Sequence, residues 1–155
     1  MTKSKVSLEQ EIKSKVTKSD IAKAIKEIED YGGLCLNFGD RRKGRTATIG
    51  KPDIEIIYKK CFAVIEVKVA GDTFKEKQID YGLKFTDVRA LGAYYLIVTE
   101  NNYQEIMSRI LNNDYTGLDD LEKGARAFLL QERKRLQELE IKREQKRIKK
   151  QFIQT

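Results

Sequence analysis

The pattern of apolar and polar positions along the chain predicts an alternation of helices and strands. Apolar residues recur at helical spacing between positions 21 and 28, so we expect a helix from residue 19 or 20 to Asp30, ended by Gly32 and Gly33. Short apolar runs predict four strands, which cover residues 34–38, 53–59, 62–69 and 93–99. The fourth run is almost continuously apolar, as expected for a strand at the centre of a buried sheet.

Further helices are predicted on either side of these strands. Residues 7–15 can form a short helix with Ser7 as its N-cap. Thr73 and Glu76 have the spacing of a capping box, which predicts a helix that begins there and ends at Gly92. We expect another helix over residues 102–111. From residue 118 onward, one long helix is predicted that becomes increasingly polar toward its end.

The order of these elements predicts an α/β fold with a mixed central sheet flanked by helices. Lys59 and Lys60 separate two strands closely enough for a short hairpin. The helix between strands 62–69 and 93–99 is a crossover, so those two strands should be parallel and joined by a right-handed connection. We expect one core over residues 1–117 and a charged, helical C-terminal extension over residues 118–155.

Composition favours a soluble protein with a single hydrophobic core. The chain has 155 residues, of which 40% are hydrophobic and 35% charged. It contains no apolar stretch of the roughly 20 residues that span a bilayer, and its N-terminus lacks the apolar segment of a secretory signal. Cys35 and Cys61 lack metal-ligand spacing, so we expect them to be reduced core residues of a cytoplasmic protein.

The net charge of +7 favours a polyanionic partner, and most of the excess lies near the C-terminus. Residues 122–150 contain eleven lysines and arginines against five acids, an excess of six positive charges. This segment would suit nucleic acid, with binding that weakens as salt rises. A charge-rich helix is equally typical of a solvated or self-associating element, and the leucines of the segment are available for packing.

Three polar residues in the second and third predicted strands are the candidates for chemistry. Glu66 and Lys68 are two residues apart in an apolar run, so they project from the same face of a strand. Burying charges among valines and isoleucines is costly unless the charges are paired or bind an ion. Asp53 follows the chain's only proline and begins the adjacent strand. Two carboxylates beside one lysine are the groups that a divalent-metal phosphodiesterase needs.

The chain contains no histidine. A Ser-His-Asp or Cys-His mechanism is therefore excluded, and two cysteines make a zinc site held by protein ligands improbable. A metal ion would have to take oxygen ligands, which favours Mg²⁺ or Mn²⁺.

The segment Gly50-Lys51-Pro52-Asp53-Ile54, followed by Glu66-Val67-Lys68, resembles the motif of the PD-(D/E)xK nuclease superfamily. Gln78 and the segment from Leu91 to Val98 make the chain similar to the VRR-NUC branch, which includes small standalone phage and bacterial proteins. The resemblance covers roughly residues 20–100. It implies a restriction-endonuclease-like core and a metal-dependent endonuclease acting on DNA in the cytoplasm of a bacterial or phage-infected cell.

The resemblance also implies roles for individual residues. Asp53 and Glu66 would hold Mg²⁺ or Mn²⁺, with the carbonyl of Val67 completing the shell. Lys68 would orient or deprotonate the attacking water, or stabilise charge on the phosphate, and Gln78 would face the site from the crossover helix. The family has a further acid on its first helix, for which Glu27 is preferred over Glu29.

The resemblance extends to the partners of the chain. Standalone members tend to be homodimers that act on branched or otherwise structured DNA, such as junctions or flaps. The basic loop before the motif could hold the DNA backbone through Arg41, Arg42, Lys43 and Arg45. A restriction-type endonuclease acting on linear duplex is a close variant.

Three other interpretations of the sequence stay open. The chain could be a non-catalytic binding module in which the basic C-terminal segment does the work. It could be a structural protein whose C-terminal helix forms a coiled coil. Asp53 could also be no more than a turn residue after Pro52, with Glu66 and Lys68 as a surface pair on an edge strand.

Overall fold

The structure, a computed structural model, describes residues 15–37 and 50–154. These residues form a four-stranded mixed sheet with helices on both faces, which confirms the predicted α/β class. The strands are β1 (Leu34–Asn37), β2 (Ile54–Tyr58), β3 (Cys61–Val67) and β4 (Ala93–Val98). The helices are α1 (Lys18–Lys26), a 3₁₀ turn (Glu27–Tyr31), α2 (Glu76–Val88), α3 (Tyr103–Leu111) and α4 (Tyr115–Gln154).

The sheet has the order β1-β2-β3-β4. Strands β1, β2 and β3 are antiparallel neighbours, and β3 is parallel to β4. The predicted hairpin and the predicted parallel pair are both confirmed. Tyr58 pairs with Cys61 across a two-residue turn, in which Lys59 has a φ of 53°.

Strand β3 is buried on both faces, which explains its continuous apolar sequence. Its odd-numbered residues pack in a core with α1 and α3, which includes Ile21, Ile65 and Ile106. Val64 belongs to the second core, between the sheet and helices α2 and α4. Because side chains alternate along a strand, Glu66 lies on the same side of the sheet as α2.

Strand β4 lies at the edge of the sheet, so the prediction that it occupies the centre is wrong. It is nevertheless buried, because helix α4 covers it. The side chain of Glu122 accepts a 2.7 Å hydrogen bond from the backbone N–H of Tyr95, and the Asn102 side chain donates one to the carbonyl of Ile97. These side chains satisfy backbone groups that would otherwise form an open sheet edge.

Two helix starts differ from the predicted ones. Helix α1 begins at Lys18, with Thr17 as its N-cap and Asp20 completing a capping box. Helix α2 begins at Glu76 rather than at Thr73, because the side chain of Gln78 accepts a hydrogen bond from the backbone N–H of Lys75. The predicted capping box at Thr73 is therefore wrong. This helix ends at Val88, before Gly92.

Helix α4 is continuous over 40 residues, and the boundary predicted at residue 118 falls inside it. Its first half packs on the sheet through Leu118 and Leu129, which are fully buried. From residue 137 to residue 153 every side chain is exposed. No helix in the described part of the chain has both the length and the apolar character of a membrane span. The predicted helix over residues 7–15 lies almost wholly outside the described residues.

Two glycines in the middle of helices have opposite surroundings. A methyl group added at Gly82 would lie 2.8 Å from Cζ of Tyr95, with Leu129 closer still. Added at Gly124, it would meet no heavy atom of the described residues within 4 Å. Gly82 therefore permits close packing of α2 on β4 and α4, whereas no packing contact in the described residues accounts for Gly124.

We expect Gly82→Ala to destabilise the fold by about 1–3 kcal/mol, because overpacking outweighs the better helix propensity of alanine. The matched Gly124→Ala change should stabilise it by up to about 1 kcal/mol. Urea denaturation of the two variants would measure both effects. A Gly82→Ala protein as stable as wild type would contradict the close packing of Tyr95 against α2.

Candidate functional site

The candidate site lies where the β2–β3 ladder ends. The last pair is Ile54 with Ile65, and continuing the register would place Pro52 opposite Val67. Proline has no N–H to donate, so this pair would lack one of its two ladder hydrogen bonds. The backbone N–H of Val67 instead donates a 2.9 Å hydrogen bond to Oδ2 of Asp53. Asp53 thus has a definite place beside the end of β3, and it is more than a turn residue.

Glu66 is one residue from that contact, and only 2% of its surface is exposed. Oε1 of its carboxylate accepts a 3.0 Å hydrogen bond from Nε2 of Gln78, in the first turn of α2. The interpretation of Glu66 and Lys68 as an exposed surface pair is therefore wrong. β3 lies between β2 and β4, and helix α2 covers this side of the strand.

The ammonium group of Lys68 is held by three oxygens. Its Nζ donates to the carbonyl of Thr73 at 3.0 Å and to Oε1 of Gln78 at 3.1 Å, and it lies 3.6 Å from Oε1 of Glu66. The same nitrogen lies 4.5 Å from the centre of the Phe74 ring, a cation–π distance. Gln78 thus donates to Glu66 and accepts from Lys68, which fixes the two charged groups relative to each other.

The pKa of the Glu66 carboxyl is raised from 4.5 to about 8, chiefly by burial. The negative charge of Asp53 contributes to this rise, whereas Lys68 and Lys18 oppose it. Two nearby carboxylates in a buried position disfavour two negative charges unless a cation lies between them. The pKa of Glu66 therefore stays raised because the positive charges of Lys68 and Lys18 do not offset its burial and the charge of Asp53.

Lys18 is a member of the site that the sequence did not suggest. Its Nζ lies 2.9 Å from Oδ2 of Asp72, which also accepts a hydrogen bond from the backbone N–H of Val69. Burial lowers the pKa of Lys18, but the hydrogen bond to Asp72 and the charges of Asp72, Asp53 and Glu66 together raise it. A lysine in the first turn of a helix interacts unfavourably with the helix dipole. This effect is small, so little in the sequence indicates that Lys18 belongs to the site.

The preferred helix acid, Glu27, is not brought to the site, so that prediction is wrong. It begins the 3₁₀ turn after α1 and is exposed, beside Tyr31 and Met107. Glu29 is also exposed. The N-terminal end of α1, where Lys18 lies, is the end near the carboxylates, whereas Glu27 follows the last residue of that helix, roughly 13 Å further along its axis at 1.5 Å per residue.

The predicted DNA-binding loop precedes strand β2 in the sequence. Arg41, Arg42, Lys43 and Arg45 lie outside the described residues. Their contact with the DNA backbone stays a prediction.

The donor groups present are compatible with a hard divalent cation. Among the described residues no group of three or more acidic, cysteine or histidine side chains could hold a metal ion. Asp53 and Glu66 supply two carboxylates, and each uses one oxygen in a hydrogen bond to the protein. In an antiparallel pair, the N–H and the C=O of one residue point toward the same neighbouring strand. The carbonyl of Val67 therefore points toward Pro52, which has no N–H to donate to it. Mg²⁺ is commonly held by one or two carboxylates, with water and phosphate oxygens completing its shell.

Comparison with known proteins adds no further information about the site. No family model, no curated protein and no solved structure matches this chain.

We expect Glu66→Gln to raise the thermal stability of the metal-free protein, and to do so more at pH 9 than at pH 5. Because the pKa of Glu66 is raised on folding, the wild-type protein loses stability as the pH rises from about 4.5 to about 8. Glutamine keeps the shape of the side chain and removes this loss. A gain of at least about 2 °C in Tm at pH 9, relative to the gain at pH 5, is expected in EDTA.

The matched control is Glu27→Gln, which removes an exposed carboxylate from the same domain. Its Tm should follow that of wild type at both pH values. If Glu66→Gln gave the same small change at pH 5 and pH 9, the carboxyl of Glu66 would not be the strained group that its burial implies.

Proposed function

We propose that this chain is a divalent-metal-dependent endodeoxyribonuclease with a restriction-endonuclease-like core, of the PD-(D/E)xK type and similar to the VRR-NUC branch. The single observation that carries the proposal is the cluster of Asp53, Glu66, Lys68 and Gln78 at one end of β3. These are the residues that the motif resemblance selects. Three separate segments contribute them, so their meeting is a property of the fold.

Asp53 and Glu66 would hold Mg²⁺ or Mn²⁺, together with the carbonyl of Val67. When bound, the cation would supply Lewis-acid chemistry and lower the pKa of a coordinated water. It would also relieve the unfavourable burial of Glu66 beside Asp53, which supports the assignment on electrostatic grounds. The absence of histidine and the oxygen-rich donor set favour these ions over zinc.

Lys68 would supply positive charge to a non-bridging oxygen of the scissile phosphate. The carbonyl of Thr73 and the amide oxygen of Gln78 hold its Nζ in place before any substrate binds. An ammonium group that is already oriented loses little freedom when charge develops on the phosphate. Gln78 is a positioning residue in this scheme, because it acts through Glu66 and Lys68.

Branched or otherwise structured DNA is the substrate that we propose, and a homodimer is the assembly. Support for a polyanionic substrate comes from the excess of positive charge, which is concentrated in helix α4 and in the loop that contains Arg41 to Arg45. A linear duplex is the alternative substrate of the same chemistry. The two are separated by offering the protein both.

We expect the purified protein with Mn²⁺ to cleave at least one of a set of duplex, single-stranded, flap and four-way-junction DNAs. Lys68→Ala should lower the cleavage rate by about 10²–10³, the usual effect of removing one oriented charge-stabilising donor. Glu66→Gln should abolish cleavage, and EDTA should do the same to the wild type. Rates from single-turnover assays on labelled DNA would measure these effects.

Glu27→Gln is the matched control in the same assay. Its rate should lie within about twofold of wild type, because Glu27 is exposed and is not part of the site. A tenfold change would correspond to about 1.4 kcal/mol in the activation barrier. If none of the four DNAs is cleaved, or if EDTA and Lys68→Ala leave cleavage unchanged, the endonuclease proposal is wrong.

A second candidate function is metal-independent nucleic-acid binding through the end of helix α4. One observation favours it: residues 145–154 contain four cations and no acid, and the side chains of residues 145–153 are exposed. This candidate does not need Asp53 or Glu66, so binding should survive Asp53→Asn.

We expect replacement of Lys146, Arg147, Lys149 and Lys150 by glutamine to separate the two candidates without shortening the chain. If these residues bind phosphates, log K for DNA should depend less steeply on log[salt], by as much as about 0.9 for each phosphate that is no longer neutralised. Fluorescence anisotropy at several salt concentrations would measure the slope. An unchanged slope would show that the end of α4 does not hold DNA.

A further inference from the structure

A cavity adjoins the candidate site, and the proposed chemistry does not use it. Its volume is about 410 Å³, within the range of small-molecule sites. It lies between the end of β4, helix α3 and the inner half of α4. The side chain of Lys68 forms part of its wall. An occupant of this cavity would therefore be adjacent to the group proposed to contact the scissile phosphate.

The walls of the cavity are suited to a flat aromatic ring. Phe74 and Phe128 meet edge to face with their ring centres 5.7 Å apart, and Phe128 is 43% exposed. The other apolar residues that line the cavity are Leu96, Ile97, Ile106, Leu121 and Ala125. Aromatic and aliphatic walls of this kind favour planar rings through stacking and burial.

The charged residues that line the cavity are three acids and two cations: Asp72, Asp120, Glu132, Lys68 and Arg135. Glu132 is engaged with Arg135 at 2.8 Å and Asp72 with Lys18 at 2.9 Å, whereas no ion pair among the described residues involves Asp120. The carboxylate of Asp120 can accept a hydrogen bond from an amino group. A group that is flat, apolar on its faces and able to donate from its edge fits both the apolar walls and this carboxylate.

Gly124 lines the cavity on the side of helix α4. Glycine inside a helix costs about 1 kcal/mol relative to alanine. The residue is exposed, and a methyl group added there would meet no heavy atom of the described residues within 4 Å. The cavity is therefore open at Gly124, and a larger side chain at this position would extend into it.

We infer that this cavity binds an unpaired nucleobase of the DNA strand whose phosphate lies at Lys68. The inference rests on the proposed function, which supplies the phosphate, and it deepens that function by stating why a structured DNA would be cleaved. A base inside a duplex is stacked and paired, so an unpaired base enters such a cavity at a lower energetic cost. Flaps and junctions offer unpaired bases next to a cleavable bond.

The first test is cleavage by Gly124→Leu, with Gly124→Ala as its matched control. Leucine would extend into the cavity from a position with open space, and both changes favour the helix. Stacking of one base typically changes affinity by about 5- to 150-fold, so Gly124→Leu should cleave a flap substrate slower than Gly124→Ala by a factor in that range. Equal rates for the two variants would overturn the inference.

The second test does not depend on cleavage. Deoxyadenosine 5′-monophosphate is titrated into the full-length protein in EDTA, and the methyl resonances of Ile106, Leu121 and Ala125 are followed by NMR. These methyls should shift with the nucleotide and stay unchanged with deoxyribose 5-phosphate, which lacks the base. The methyls of Val88, an exposed residue at the end of α2 that does not line the cavity, serve as the internal reference.

The outcomes separate the two proposals. If no DNA is cleaved but the methyls shift with the nucleotide and fail to shift in Gly124→Leu, the cavity binds a base and the endonuclease proposal is wrong. If DNA is cleaved but the methyls respond to neither compound, or equally to both, the nucleobase site is overturned and the endonuclease proposal stands.

Discussion

Glu66 lies on the most buried strand of the sheet, and the polar groups around it are arranged to make that position tolerable. Its carboxylate is bonded to Gln78, lies 3.6 Å from the Lys68 ammonium, and is in electrostatic conflict with Asp53. A fold gains nothing in stability from such a group, because a methyl-bearing side chain of similar size would pack there at less cost. Proteins commonly accept a local cost of this kind where function requires it.

The rest of the site follows from how β2 and β3 end. Pro52 stops the ladder, the Val67 N–H turns to Asp53, and the chain then leaves the sheet so that Lys68 can reach the carbonyl of Thr73. The same Gln78 that links Glu66 to Lys68 also accepts the N–H of Lys75 at the start of α2. One side chain thus sets where the helix begins and how the two charged groups are oriented, which ties local backbone structure to the site's geometry.

Helix α4 joins the sheet to the surface that we propose for DNA. Its first half covers the edge of β4 and forms one wall of the cavity beside Lys68, while its second half is exposed and carries the excess of positive charge. A single rigid element therefore spans the proposed base-binding cavity and the proposed phosphate contacts. Leu118 and Leu129 anchor this helix in the two cores. Any movement of the helix relative to the sheet would therefore displace the cavity wall and the proposed phosphate contacts together.

The order of the elements, the β2–β3 hairpin and the parallel β3–β4 pair could be derived from sequence, because each depends on local periodicity. Strand alternation also singled out Glu66 and Lys68 beside Asp53, whereas Gln78 became a candidate only through the motif resemblance. The tertiary structure decided that β4 lies at the edge, since its apolar character reports burial and α4 supplies that burial from far along the chain. It also decided that Lys18 approaches the carboxylates while Glu27 does not. Helical periodicity gives the face of a residue but does not say which end of a helix points at a site. The cavity beside Lys68 is likewise a product of packing between distant segments, and the open space at Gly124 has no signature in the sequence.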